Sequence, residues 1–139
     1  MASALIDASA MVAVFGANQP AGERYQELLE LASLEHWALS TTWPCVVEAS
    51  YLAPPPHRFA LLNWLGRGGV AVFPFDQQAL LELTPLMQRY TERPRTEMDL
   101  ADASLVWLAG ETGVTTMMTL DLRDFSRYRL PDGRGFRIL

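Results

Sequence analysis

Four carboxylates stand alone in sequence that otherwise avoids charge, and their placement constrains this chain more than any other feature. Asp7 is the only charged side chain in the first 22 residues. Glu48 is the only one between Glu35 and Arg58, taking His36 and His57 as neutral. Asp102 stands alone between Asp99 and Glu111, and Asp121 closes the uncharged run Thr112–Leu120. Such surroundings are expected to be buried or half-buried, where an ionised carboxylate is costly unless a positive charge offsets it. The chain has no lysine, and its 11 arginines mostly lie elsewhere. The simplest counter-charge that all four acids can share is a bound divalent cation. The fold must then gather them from four remote segments.

The remaining composition narrows the class. A length of 139 residues fits one domain, and a hydrophobic fraction of 50% supplies a real core. The charged fraction of 19% lies below the ~25% usual for such domains. This fits a mostly buried chain with an apolar surface for a partner. The formal net charge of −5 argues against broad electrostatic attraction to nucleic acid, although bound metal would cancel acidic charge locally. Five arginines (Arg123, Arg127, Arg129, Arg134, Arg137) crowd the last 17 residues, either for a partner or as a solvated basic rim. Cys45 is the only cysteine, which excludes an internal disulfide and predicts a reducing, cytoplasmic setting. It lies in the apolar run Cys45-Val46-Val47 and reads as a core residue rather than a nucleophile. No apolar run reaches the ~18 residues of a membrane span, and no basic region precedes the apolar N-terminus as in a secretory signal.

Along the chain, short apolar segments alternate with helical patterns. Strands are expected at Ala2–Ile6, Trp37–Ser40, Val70–Phe73, Thr115–Leu120 and Phe136–Leu139. Helices are expected at Ala8–Phe15, at Pro20–Glu35 with Tyr25, Leu28, Leu29 and Leu31 inward, from Pro44 to about Ala53, and at Arg58–Leu65. Another starts at Asp76 and is divided or kinked at Thr84-Pro85. Leu100–Glu111 follows with Asp99 as its cap, and a short turn is expected after Asp121. This alternation predicts one α/β domain over residues 1–139, a parallel sheet covered by helices on both faces. Sites in such sheets form at the carboxyl ends of strands, where Asp7 and Asp121 fall.

Each acid has a local role to weigh against a shared site. Glu48 shares a helical stripe with Cys45, Ala49 and Leu52 and therefore points inward or along a partly buried boundary. An arginine partner for it would have to come from distant sequence. Asp7 suits an N-cap of the following helix, with one oxygen left for other contacts. Asp99 and Asp102 lie one turn apart and repel, Asp99 as the cap and Asp102 as the ligand. Asp121 has Thr119 two residues before it, and Asp124 reads as a supporting or turn residue.

Carboxylates without paired histidine or cysteine are hard oxygen ligands, suited to Mg²⁺ or Mn²⁺ rather than zinc. An ion held this way keeps positions open for water and phosphate oxygens, the arrangement that hydrolyses phosphodiesters. Other phosphate chemistries are excluded. A chain without lysine has no glycine-lysine phosphate loop and no receiver-domain pocket. A haloacid-dehalogenase-type phosphatase needs a second Asp two residues after the first, where this chain has Ser9. No serine-hydrolase elbow is present.

The segments Leu5-Ile6-Asp7-Ala8-Ser9-Ala10, Val46-Val47-Glu48-Ala49, Met98-Asp99-Leu100-Ala101-Asp102-Ala103-Ser104-Leu105 and Thr119-Leu120-Asp121-Leu122-Arg123-Asp124-Phe125 resemble, in order and spacing, the PIN-domain ribonucleases of the VapC toxin type. The resemblance covers nearly the whole chain. It implies a three-layer α/β/α fold and metal-dependent cleavage of RNA. Asp7, Glu48, Asp102 and Asp121 match the four catalytic, metal-binding acids of the family, with Mg²⁺ (or Mn²⁺) as cofactor. Ser9, Asp99, Thr119 and Asp124 match residues that support the site. Arg93, Arg95, Arg123 and Arg127 flank these segments as candidates for holding RNA phosphates. The resemblance further implies an RNA substrate, a cognate antitoxin protein, a homodimer and no membrane. The first motif reads Asp-Ala-Ser where Asp-Thr/Ser-Ser is usual, and the run Pro54–Pro56 is unusual for the family. The alternatives are a PIN-fold RNA- or protein-binding module, and a Mg²⁺-dependent nuclease or phosphatase acting on something other than RNA.

Overall fold

A computed structural model describes residues 2–16, 20–92 and 95–139. Its elements are β1 (Ser3–Ile6), α1 (Ala8–Phe15), α2 (Pro20–Leu34), β2 (Ala38–Thr42), α3 (Trp43–Leu52), α4 (His57–Gly66) and β3 (Ala71–Phe73). These are followed by a 3₁₀ turn (Gln77–Ala79), α5 (Leu80–Arg89), α6 (Leu100–Thr112), β4 (Thr116–Met118), α7 (Leu122–Arg127) and β5 (Arg137–Ile138). The five strands form one sheet in the order β3-β2-β1-β4-β5, and every pairing is parallel.

This order positions the site. From β1 the chain moves outward on one side to β2 and β3, then returns to place β4 and β5 on the other. The direction of winding therefore reverses between β1 and β4, the switch point beyond whose strand ends sites form in such sheets. Leu5 and Ile6 pair with Met117 and Met118, so Asp7 and Thr119 leave the sheet side by side. The central strands are buried on both faces: Ala4, Leu5, Ile6, Met117 and Met118 are all inaccessible to solvent. This is why they read as short apolar runs rather than alternating ones.

Helix boundaries follow their caps. The Asp76, Asp99 and Asp121 side chains accept from the backbone N–H of Ala79, Asp102 and Asp124 respectively. Pro44 occupies the first turn of α3, where its missing N–H costs nothing. α1 and α2 cross at a glycine. A Cβ on Gly22 would lie 2.7 Å from the Ala13 carbonyl oxygen, so the two backbones approach closer than any side chain allows. Gly22→Ala is therefore expected to lower stability by about 1–3 kcal/mol, measured by urea unfolding.

Several expectations are corrected. β2 lies later than Trp37–Ser40, because Thr41 and Thr42 extend the pairing to Val72 and Phe73. β4 ends at Met118, so Thr119 and Leu120 lie beyond the sheet. Of the two readings at Thr84-Pro85, the divided one is overturned, since α5 continues as one helix through Pro85. Thr84 does not cap a second helix; its hydroxyl donates to the Leu80 carbonyl. The carbonyl that loses its bond to the proline nitrogen belongs to Leu81, an exposed residue. Leu31 is 41% exposed rather than inward, whereas Tyr25 is buried and Leu28 and Leu29 pack against the core. The segment after Asp121 is a helix, not a turn. Among the described residues, no helix is long and apolar enough to cross a membrane.

Candidate metal centre

Asp7 is fixed by its backbone before its side chain makes any contact. Its N–H donates to the Met118 carbonyl at 3.0 Å, the last rung of the β1–β4 ladder, and its carbonyl accepts from Met11 to open α1. The carboxylate is 4% exposed and does not cap α1, contrary to its expected local role. Instead Oδ2 accepts from Ser9 Oγ at 3.0 Å and from Thr119 Oγ1 at 2.6 Å. Those hydroxyls in turn accept from the backbone N–H of Leu120 and of Asp121, each at 3.0 Å. Each hydroxyl has one proton, committed to Asp7, and lone pairs committed to the 120–121 backbone. The segment carrying Asp121 is thereby tied to the end of β1. Tyr25 reinforces the arrangement by donating from its hydroxyl to the Thr119 carbonyl at 2.7 Å.

Asp102 sits in the first turn of α6. That helix is held to the end of β2 by the Thr42–Ser104 hydroxyl pair at 2.6 Å and to α3 by buried Cys45, whose thiol donates to the Ala101 carbonyl. Asp102 Oδ2 accepts from the Tyr128 hydroxyl at 2.8 Å. Asp121 caps α7 and Asp124 lies in the first turn of that helix, with its Oδ1 accepting from Arg127 at 3.2 Å. Asp102, Asp121 and Asp124 each bring a carboxylate oxygen within 4.8 Å of the other two. Oxygens of a Mg²⁺ octahedron with ~2.1 Å bonds lie roughly 3–4 Å apart, so small side-chain movements would close this group on an ion. An all-oxygen, half-buried, acidic donor set fits a hard divalent cation.

The electrostatics agree. Burial pushes every one of the four isolated acids up, and neighbouring acids push further. Asp102 rises to about 8, through burial and then the Asp99 charge. Glu48, half-buried on α3, rises to about 7, through burial and then Asp99 and Asp7. Asp7 and Asp121 are raised by burial first, with smaller contributions from Asp99 on Asp7 and from Asp124 and Asp7 on Asp121. Among the described residues, none of Asp7, Glu48, Asp99, Asp102 and Asp121 makes an ion pair. The arginine partner that would have explained Glu48 as a structural residue is absent from this set.

The predicted residues therefore sit as follows. Asp7, Ser9 and Thr119 form one hydrogen-bonded group. Asp102 and Asp121 stand in the three-acid group, joined by Asp124, which sequence had placed in a supporting or turn role. Asp99 caps α6 as expected and lies near enough to raise Asp7, Glu48 and Asp102. Glu48 stands outside the three-acid group. It borders an open groove of about 730 Å³ walled by Trp43, Val47, Tyr51, Phe75 and Leu100. Its expected stripe is only partly inward: Cys45 and Ala49 are buried, but Leu52 is 51% exposed. Burial pushes the Cys45 thiol up to about 12, consistent with a core residue. Arg127 turns back onto Asp124, Arg95 and Arg123 are exposed, and Arg93 lies outside the described residues. Tyr128 was not foreseen. A hydroxyl-bearing aromatic 26 positions from Asp102 carries no local signal of that contact.

An all-parallel five-stranded sheet in the order 3-2-1-4-5, with acids gathered at its switch point, defines a PIN-like α/β/α fold. Two solved structures share it. Mycobacterium tuberculosis VapC20, a sarcin-ricin loop cleaving toxin, matches with a TM-score of 0.72 at 15% identity over 86% of this chain and 91% of that one. DNA-bound VapBC from Salmonella typhimurium matches with a TM-score of 0.65 at 21% identity over 100% of this chain and 98% of that one. The fold is thus that of VapC-type PIN domains. No protein-family model matches the sequence, and no curated protein matches it either.

Proposed function

We propose that this chain is a divalent-metal-dependent endoribonuclease, the toxin of a type II toxin–antitoxin module working in the cytoplasm. The observation that carries the reading is the gathering of Asp102, Asp121 and Asp124 within 4.8 Å, beside a buried Asp7, with no cationic partner for Asp7, Asp102 or Asp121 among the described residues. Asp7, Asp102 and Asp121 would hold Mg²⁺ (or Mn²⁺), with Glu48 and Asp124 completing the pocket directly or through water. When bound, the ion supplies charge neutralisation at the phosphodiester and a water of lowered pKa. The chain's own residues do the positioning. Ser9 and Thr119 hold Asp7 in place and fix Asp121 beside it. Exposed Arg95 and Arg123 are available to hold RNA phosphates. The net charge of −5 makes such local contacts, rather than a long-range field, the means of binding RNA.

A partner fits the groove beside Glu48. Its walls are apolar and its charged members, Glu48 and Asp99, are acidic. A cognate antitoxin segment with apolar and basic side chains matches both properties. The likeness to a VapBC complex supports this partner. A homodimer is also proposed, and light scattering of the purified chain tests it.

The deciding experiment incubates the purified chain with RNA, single- and double-stranded DNA and a phosphomonoester, with Mg²⁺, with Mn²⁺ and with EDTA. RNA cleavage that EDTA stops and either ion restores is the expected result. Cleavage of DNA or the monoester alone would transfer the site to another phosphate chemistry. RNA binding without cleavage would make the chain a binding module.

A further inference from the structure

We infer that Tyr128 is a positioning residue for the candidate metal centre: its buried hydroxyl holds the Asp102 carboxylate in the orientation that a divalent cation requires. This rests on the metal-dependent reading above and adds to it the residue that sets the ligand geometry.

Tyr128 follows α7 as its C-cap, and its backbone N–H donates to the Asp124 carbonyl at 3.1 Å. Its ring is fully buried, packed edge-on against Tyr90 and Phe125 with both centroids 5.1 Å away. The hydroxyl reaches across to α6 and donates to Asp102 Oδ2 at 2.8 Å. One residue thus joins the helix that carries Asp102 to the helix capped by Asp121 and opened by Asp124. A phenylalanine would fill the same space, so packing does not require the hydroxyl. A buried phenol needs a partner, and here that partner is a candidate ligand. The terminal torsion of an aspartate is otherwise broad, with no strong preferred angle. Engaging Oδ2 removes that freedom and leaves Oδ1 as the oxygen with no protein donor among the described residues. Metal-binding carboxylates are commonly oriented by hydrogen bonds of this kind, and losing one costs ~10–100-fold in affinity or activity.

The test compares wild type with Tyr128→Phe, using Mn²⁺ alone as the probe in isothermal titration. The variant is expected to bind Mn²⁺ ~10-fold or more weakly. Its melting temperature in EDTA should stay within a few degrees of wild type. The Mg²⁺ concentration giving half-maximal RNA cleavage should rise by a similar factor, with most of the maximal rate recovered at saturating Mg²⁺. A merely structural role would lower melting without this shift in ion dependence. Should the variant fold poorly, a cycle with Asp102→Ala, which removes the acceptor, read as melting in EDTA, provides the second measurement. Strong coupling between the two changes supports the contact and additivity overturns it. If wild type binds Mn²⁺ and Tyr128→Phe binds it within twofold, the positioning role is wrong while the metal centre stands. If wild type binds no Mn²⁺, the metal centre itself fails and this inference falls with it.

Discussion

Asp7→Asn is expected to abolish metal-dependent RNA cleavage while the protein stays folded. The carboxylate is almost fully buried between two hydroxyl donors at the end of β1. An asparagine carbonyl accepts the same two hydroxyl bonds, so the ties to the 120–121 backbone survive. The substitution removes the negative charge and exchanges the other oxygen for an amide NH₂. Outer hydrogen-bond partners of metal ligands are worth ~10–100-fold, and a ligand should weigh no less, so a loss of at least ~100-fold is expected. Melting in EDTA should hold or rise, because a neutral amide is cheaper to bury than a carboxylate. Initial rates on RNA with Mg²⁺, alongside circular dichroism, check both parts. A variant with full activity would remove Asp7 from the site.

The second large effect concerns stability without metal. Asp102 carries a carboxyl pushed from 3.8 to about 8, chiefly by burial and by Asp99. Below pH ~4 this group is protonated in both folded and unfolded chains, and its contribution is fully present. Between pH ~4 and ~8 the folded chain retains a proton that the unfolded chain has released, so stability falls as pH rises through that window. Glu48, raised from 4.5 to about 7, acts in the same direction. In EDTA the protein should therefore melt at lower temperature at pH 8 than at pH 5, and a divalent cation should reverse the trend. Asp102→Asn should flatten the profile and raise the melting temperature at pH 8. Each retained pKa unit is worth ~1.4 kcal/mol, or roughly 4–6 °C at this chain length. Asparagine can still accept from Tyr128 through its amide oxygen, so the contact survives the loss of charge. A marked fall in metal-free melting would instead mean that Asp102 is ionised and paired in a structural role.

The acids and the fold were legible for the same reason. Burial marks the neighbours of a buried residue, so Asp7 at the end of Ala2–Ile6 and Asp121 at the end of Thr115–Leu120 could be read from uncharged surroundings. Where the signal was local but ambiguous, the reading slipped. Thr84-Pro85 has the composition of a helix start, yet α5 continues because the orphaned carbonyl lies at exposed Leu81. Asp121 and Asp124 have the same three-residue cap spacing as Asp99 and Asp102, so α7 was marked in the sequence, but the segment is too short for a periodic signal. Leu31 and Leu52 match apolar stripes but end up exposed, since a stripe does not say how far the neighbouring element extends.

By itself the sequence determined the strand–helix alternation, the parallel sheet that follows from it, and the set of acids too costly to bury unaided. These are consequences of local burial and capping, which act through neighbours in the chain. Only the tertiary structure decided that Asp124 joins Asp102 and Asp121, that Glu48 stands apart beside the apolar groove, that Thr119 grips Asp7 across 112 positions, and that Tyr128 holds Asp102. Those relations depend on which strands become neighbours at the switch point of the sheet, and a contact between remote residues leaves no trace in the sequence around either one.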